Sequence, residues 1–360
     1  MSADLILNII FFIFAIIGGI DYALDNRYGI GEEFERGLKT AAPLILCMGG
    51  FMTLVPWLAN ILTPTLGPLL VKIGADPSLI AGLLLSIDSG GAILSEEMAL
   101  SSDAAILNGY FIASMFGSAI MGNIPLSILA VKGDRRNFVL KGLAFGIASI
   151  PFGCAIGGIL CGMNTKVLFG NLLPLIVISA ILVFSMIRFE KALTNVLKVF
   201  GKVNVFICVS GILIAALGEV FGIEILPIRM SFNEIMSVIG KIILVLIGVF
   251  PCFALLMRAV KKPLIRGSDR LGLSFTDSKG LLVNLVNSFP SIDSLPDMTD
   301  TGIMINCAFG VGAGYAVGDH FAYVAATAPE LTVPLIAAKV SAGIIAVLGV
   351  FLIAARRKKA

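Results

Sequence analysis

Two acidic residues lie deep in apolar sequence. Asp88 sits in Ser86-Ile87-Asp88-Ser89-Gly90-Gly91, near the middle of the otherwise apolar stretch 76–100. Asp319 sits in Gly318-Asp319-His320, inside the long apolar run 303–328 and beside the only histidine in the chain. Ionised groups in apolar surroundings are costly unless paired, so each marks a candidate site. At Asp88 two glycines leave backbone groups open, and Ser86 and Ser89 add hydroxyls; the plainer alternative is a carboxylate that caps the following helix. A second interrupted stretch, 275–300, breaks at Phe289-Pro290-Ser291 and offers Asn284, Asn287, Ser288 and Ser291. Asn287 and Ser288 are the candidates there, against simple turn formation. Asp319 and His320, adjacent on a helix, would point about 100° apart, so one can face a cavity while the other orients it.

Together these residues predict a cavity holding two carboxylates, amides and hydroxyls, with no Lys or Arg. Such a site suits a small cation, because a buried carboxylate must be paired or protonated. Phe289, Tyr315 and Phe321 could add aromatic faces for an ammonium group. Ser86, Asn123, Asn306, Phe289 and Tyr315 are secondary candidates; for Asn108, Asn123 and Asn306 hydrogen bonds between helices with no ligand are the favoured reading. Gly310, Gly312 and Gly314 precede Asp319 without the strand that a nucleotide loop requires, and read as close helix packing. One histidine and six scattered cysteines offer neither a zinc set nor a nucleophile with its base, so an enzyme is not expected. Asp21, at the end of the first apolar run, reads as interfacial. Asp76, Glu96, Glu97 and Asp103 against Lys72 suggest an acidic vestibule or a plain solvated loop.

The elements that must position these groups are membrane spans. The 360 residues are 58% hydrophobic and only 14% charged, with 39 glycines and a mean hydropathy of +1.01. A soluble chain has roughly 25% charged residues. A helix needs about 20 apolar residues to cross a bilayer, and nine runs qualify: 5–24, 40–62, 104–131, 137–162, 167–187, 203–222, 235–257, 303–328 and 332–355. The stretches 76–100 and 275–300 read as re-entrant hairpins. With that threading, the basic segments 25–39, 132–141, 188–202, 258–270 and 356–359 share one side and hold most of the 26 Lys and Arg, while Lys72, Lys166, Arg229, Lys241 and Lys339 fall on or toward the other. These clusters are a topology signal and not a nucleic-acid footprint. The N-terminus is then outside and the C-terminus inside. Segments 25–39 and 188–202 also have the spacing of interfacial helices.

The unit span, hairpin, span recurs at 40–131 and 235–328 with an odd number of crossings between, which predicts an inverted repeat. The expected fold is an all-α polytopic membrane protein of about nine transmembrane helices plus two re-entrant hairpins. Residues 1–162 form a first membrane repeat, 163–202 a linker span and cytoplasmic segment, 203–355 a second, inverted repeat, and 356–360 a basic tail. In such folds substrate binds near the midplane, where discontinuous helices meet.

Several motifs carry a resemblance: Gly29-Ile30-Gly31-Glu32-Glu33-Phe34-Glu35-Arg36-Gly37, Gly74-Ala75-Asp76-Pro77-Ser78, Asp88-Ser89-Gly90-Gly91, Asp134-Arg135-Arg136, Ile150-Pro151-Phe152-Gly153-Cys154, Ile305-Asn306-Cys307-Ala308-Phe309 and Gly318-Asp319-His320. In order and coverage the chain resembles the ethanolamine utilisation permease (EutH) family. The resemblance implies a multi-pass protein of the bacterial inner membrane that takes up ethanolamine, a primary ammonium with one hydroxyl, by alternating access or facilitation. The alternative is an ion-coupled carrier of another small amine or amino acid. No cofactor is implied; a coupling ion, proton or sodium, and the oligomeric state are left open. Asp293 and Asp297, and the short end after Arg356-Arg357-Lys358-Lys359, depart from the family pattern without touching the main motifs.

Overall fold

The computed structural model describes residues 3–226 and 230–357. Arg229, Lys358 and Lys359, assigned above to opposite sides of the membrane, and Ala360 lie outside them. Within the described residues the elements are helical. In chain order they are α1 Ala3–Ala23, α2 Gly31–Lys72, α3 Leu79–Leu84, α4 Gly91–Met98, α5 Ser102–Ala130, α6 Arg136–Leu160, α7 Thr165–Arg188, α8 Glu190–Phe221, α9 Phe232–Leu271, α10 Phe275–Val286, α11 Ser288–Asp293, α12 Asp300–Ala313, α13 Asp319–Thr327 and α14 Thr332–Arg357.

Eight of these, α1, α2, α5, α6, α7, α8, α9 and α14, are long and apolar enough to cross a membrane. The count differs from the nine runs at one place. Run 303–328 is α12 and α13 with an irregular segment, Gly314–Gly318, between them. The reason is local backbone. Gly314 leaves the helix at an extended ψ of 134°, Tyr315 adopts a left-handed φ of 61°, and Gly318 packs so closely on the Val286 carbonyl that a Cβ there would collide with it. Of the glycines expected to allow close packing, Gly310 and Gly312 do so, against Asn284 and against Ala342 and Gly343, while Gly314 ends the helix.

The predicted interfacial segments are extensions of spans. Residues 31–39 begin α2, which runs 42 residues, and 190–202 begin α8, which runs 32. At about 1.5 Å per residue, α2 is about twice the ~30 Å apolar core of a bilayer in length. Segments 45–49, 107–117 and 119–123 have π-helical turns, a feature that concentrates at functional sites.

The body around the site is tied together by small residues. On α6, Gly142 and Gly146 meet the backbone of α12 at Met304 and Ala308, while Gly153 meets that of α14 at Ala338. With no water to drive association inside a bilayer, such close approach is what holds helices together. The carboxylate of Asp21, at the end of α1, is buried. It accepts hydrogen bonds from the backbone N–H groups of Tyr28, Ile30 and Gly31 at 2.9, 2.8 and 2.9 Å, which fixes the turn from α1 into α2.

Candidate functional site

Three helix interruptions come together in the interior. The first separates α3 from α4. Leu85 is extended, Ile87–Ser89 make one tight turn, and Gly90 takes a φ of 92° that only glycine adopts without strain. The second is the single extended residue Asn287 between α10 and α11. The third is Gly314–Gly318. Its backbone is stitched to the end of α10, with Tyr315 N donating to Asn284 O at 2.9 Å and Val317 N to Leu285 O at 2.8 Å. Backbone freed from a helix is thus paired with backbone freed from another, as an apolar interior demands.

Asp88 is not at the N-cap position of α4, which is Gly90. Its carboxylate instead accepts from Ser86 Oγ at 2.5 Å, and Ser86 Oγ lies 3.3 Å from His320 Nε2. Ser86 has one hydroxyl proton and it goes to Asp88. The serine oxygen can then accept from His320 in the tautomer that carries its proton on Nε2. The His320 Nε2 to Asp88 Oδ1 distance is 3.9 Å. His320 is 2% exposed, and its ring lies 4.9 Å from that of Tyr315, which in turn meets Phe289 edge-on at 6.0 Å. An aromatic row thus joins all three interruptions.

Asp319 opens α13, where the positive end of the helix favours a carboxylate. Its Oδ1 is buried and has no hydrogen-bond partner, and the same holds for His320 Nδ1 and Ser288 Oγ. Such groups are expensive to leave unsatisfied, so they mark where a ligand or water is wanted. Ser288 is fully buried beside Gly314, and Ser89 is buried in the Asp88 turn.

Asn287 is not brought to this cluster. Its side chain accepts from Phe289 N at 2.9 Å and lines a separate cavity of about 380 Å³ together with Glu33, Arg36, Phe250, Lys279 and Ser291. Asn123 and Asn306 behave as interhelical ties. Asn123 Nδ2 donates to Gly310 O at 2.9 Å, and Asn306 Nδ2 donates to Asp277 O at 2.8 Å and to Gly302 O at 3.0 Å. The carboxylates expected in an acidic vestibule are largely committed locally: Asp76 accepts from Leu100 N at 3.0 Å and Asp103 from Asn164 N at 2.8 Å.

The sequence reading missed Lys339. It was placed toward the outer face, yet in α14 its side chain is 0% exposed and its Nζ donates to Ser114 O, 2.6 Å away in the π-helical part of α5. Its charge lies within range of Asp88 and His320. A lysine is therefore buried in the interior, beside the π-helical part of α5, where none was expected. The available signal was the one used for the aspartates, a lone charge in an apolar run. Lys339 is about two helical turns into α14, close enough to the end to suggest that it reaches outward to water.

Comparison with known proteins gives a consistent relationship. The sequence model of the family described as "Ethanolamine utilisation protein, EutH" matches residues 3–353. A probable ethanolamine permease EutH of Listeria monocytogenes is 33% identical over 360 residues, covering 100% of this chain and 96% of that protein. The uncharacterized protein YxeR of Bacillus subtilis is 34% identical over 333 residues, 92% of this chain and 90% of its own length. A probable ethanolamine permease EutH of Salmonella typhimurium is 31% identical over 343 residues, 89% of this chain and 84% of that protein. No solved structure matches the chain.

Proposed function

The chain belongs to the EutH family of ethanolamine utilisation proteins, and from that premise we propose that it is a permease carrying ethanolamine across the bacterial inner membrane. The observation that carries the reading is half-buried Asp319, whose Oδ1 is buried without a partner, beside the Ser86–Asp88–His320 chain. Ethanolamine is a primary ammonium at neutral pH. Its three N–H donors need acceptors, and a desolvated carboxylate is the strongest available. Asp319 and Asp88 supply the negative charge, Ser288 and Ser89 offer hydroxyls to the substrate hydroxyl, and Tyr315 and Phe289 wall the site. His320 orients Asp88 through Ser86 and gives a proton a route between them. No bond is broken in this reading; the protein is a carrier and not an enzyme.

We read α3–α4 and α10–α11 as re-entrant hairpins of two inverted repeats, 1–162 and 203–355, joined by 163–202. The N-terminus is outside and the C-terminus cytoplasmic. On that topology the cavity at Asn287, Arg36 and Lys279 is the cytoplasmic vestibule, and rocking of the repeats exposes Asp319 to either side in turn. Glu33 lies 3.3 Å from Arg36, which offsets one of the two cations that an outgoing ammonium would meet there.

The test is uptake of labelled ethanolamine into proteoliposomes holding the purified chain, with and without proton and sodium gradients. Saturable uptake that Asp319→Asn abolishes supports the reading. Uptake by Asp319→Asn with unchanged affinity would overturn the assignment, and better competition by alanine than by ethanolamine would redirect it to an amino acid.

A further inference from the structure

Ser288 lines a second, much smaller cavity of about 10 Å³, where the end of α5 meets α10, α11 and α12. The polar side chains around it are Asn123, Ser127, Asn284, Ser288, Ser291 and Asn306, with no carboxylate or imidazole among them. Two of their oxygens, Asn123 Oδ1 and Ser288 Oγ, are buried with no hydrogen-bond partner, on residues 3% and 0% exposed. The ends of the amides are not interchangeable. Asn123 Nδ2 donates to Gly310 O at 2.9 Å, and a carbonyl only accepts, so the group left over is an oxygen and not an N–H. Asn284 Nδ2 faces Ser291 Oγ at 3.0 Å and Asn306 Oδ1 at 3.4 Å, which leaves its Oδ1 on the side of Gly310. Asn284 stands in the last turn of α10 and Gly310 in that of α12, and the C-terminal end of a helix is its negative end.

We propose that this cavity is a sodium site, with Asn123 Oδ1, Ser127 Oγ, Asn284 Oδ1 and Ser288 Oγ as its neutral ligands, and that sodium bound there promotes the binding of ethanolamine. The coupling rests on the ethanolamine reading and deepens it; the ion site stands on its own geometry. Neutral oxygens gathered at helix C-terminal ends in a membrane interior suit a monovalent cation. A divalent ion requires carboxylates, an anion requires donors, and a proton requires a side chain that titrates near neutrality. A cavity of about 10 Å³ is at the lower limit for one water, so it favours sodium over potassium, which is as large as water. The ion draws α11 onto α5 and α12 and so fixes Ser288, the wall on which the substrate hydroxyl bonds, before the substrate arrives.

The experiment takes the purified full-length protein in detergent and compares sodium chloride with potassium chloride at equal concentration. The readouts are the melting temperature without substrate and the Kd for labelled ethanolamine. Wild type should melt about 2 °C higher in saturating sodium than in potassium and bind ethanolamine at least about threefold more tightly there. Asn123→Ala and Ser288→Ala should lose the difference between the salts in both readouts, whatever their own melting temperatures. Asn287→Ala, whose side chain lies outside the cavity, should keep it. Ser288→Ala removes an oxygen with no partner in the protein, so it breaks no hydrogen bond and decides the matter should Asn123→Ala fail to fold. Wild type that melts alike in the two salts holds a water only, and the proposal is overturned; a difference that survives in Ser288→Ala, or that Asn287→Ala abolishes too, overturns the assignment to this cavity. A melting shift without any effect of sodium on ethanolamine affinity overturns the coupling. Protein that shows the sodium shift and its loss in Ser288→Ala but binds no ethanolamine overturns the functional reading and supports the ion site, whereas ethanolamine binding that is blind to sodium, with no melting shift, overturns this inference alone.

Discussion

At the foot of the first broken-helix pair, Asp76 accepts from Ser78 N and Oγ at one end and from Leu100 N at the other. At the foot of the second, Asp277 accepts from Ser274 N at one end and from Thr299 N and Oγ1 at the other. The agreement continues into the following helix. Ser101 caps α5 and Thr299 caps α12. Seven residues beyond each cap an asparagine bonds back to the first arm, Asn108 to Ser78 Oγ and Asn306 to Asp277 O. The tips differ completely. The first is an irregular turn carrying Asp88 among hydroxyls and glycines, whereas the second is the lone amide Asn287, and the matching carboxylate comes from elsewhere, at the start of α13. The base of each unit is thus a structural device used twice, while the tip is free to carry different chemistry.

That contrast can be broken first at the bases. Asp277 is fully buried and Asp76 is not. Asp277→Ala should therefore cost about 3 kcal/mol, and Asp76→Ala about half that, since each removes charge-assisted hydrogen bonds to backbone. Thermal unfolding in detergent checks this, and equal losses would show that burial does not distinguish the two latches. Next come the tips. Asp319→Asn should weaken ethanolamine binding about 100-fold, roughly 2.7 kcal/mol. Asp88→Asn should weaken it about tenfold, because one of the two negative charges of the site is lost while the Asp319 anchor remains. The smallest effect is expected at the second tip, where Asn287→Ala should change binding no more than about threefold, the cost of one partly exposed polar group. A loss there as large as for Asp319→Asn would mean that the two tips meet over the substrate, as their symmetry in sequence suggested.

Much of this body is legible from composition. The runs read as spans fold as helices because each is apolar for a bilayer's width, and the interruptions at Asp88-Ser89-Gly90-Gly91 and near Phe289-Pro290 break helices because of residues within them. What was not legible depends on partners distant in sequence. Run 303–328 is long enough and apolar enough to read as one span despite Asp319 and His320, and its break at Gly314–Gly318 is held by the Asn284 and Leu285 carbonyls of α10, which receive its amides. Lys339 carries the same marker as Asp88, but its inward direction is set by the Ser114 carbonyl on another helix. Asn287 was paired with Asp88 on the assumption that matching tips converge, and its side chain instead turns back on Phe289 N. At Asp21 the sequence showed a carboxylate near a span end, and three amides from the next turn claim it.

The stitch between Tyr315, Val317 and the end of α10 has a mechanical side. Two hydrogen bonds running between separate stretches of backbone act as a rigid coupling, so α10 and the start of α13 form one lever. In the proposed carrier, a swing of the α10–α11 unit would carry Asp319 and His320 along, shearing them against Ser86 and Asp88 on the α3–α4 unit. The grip on a cation and the transport movement would then be one displacement, and slow amide exchange at Tyr315 and Val317 throughout turnover would be its signature.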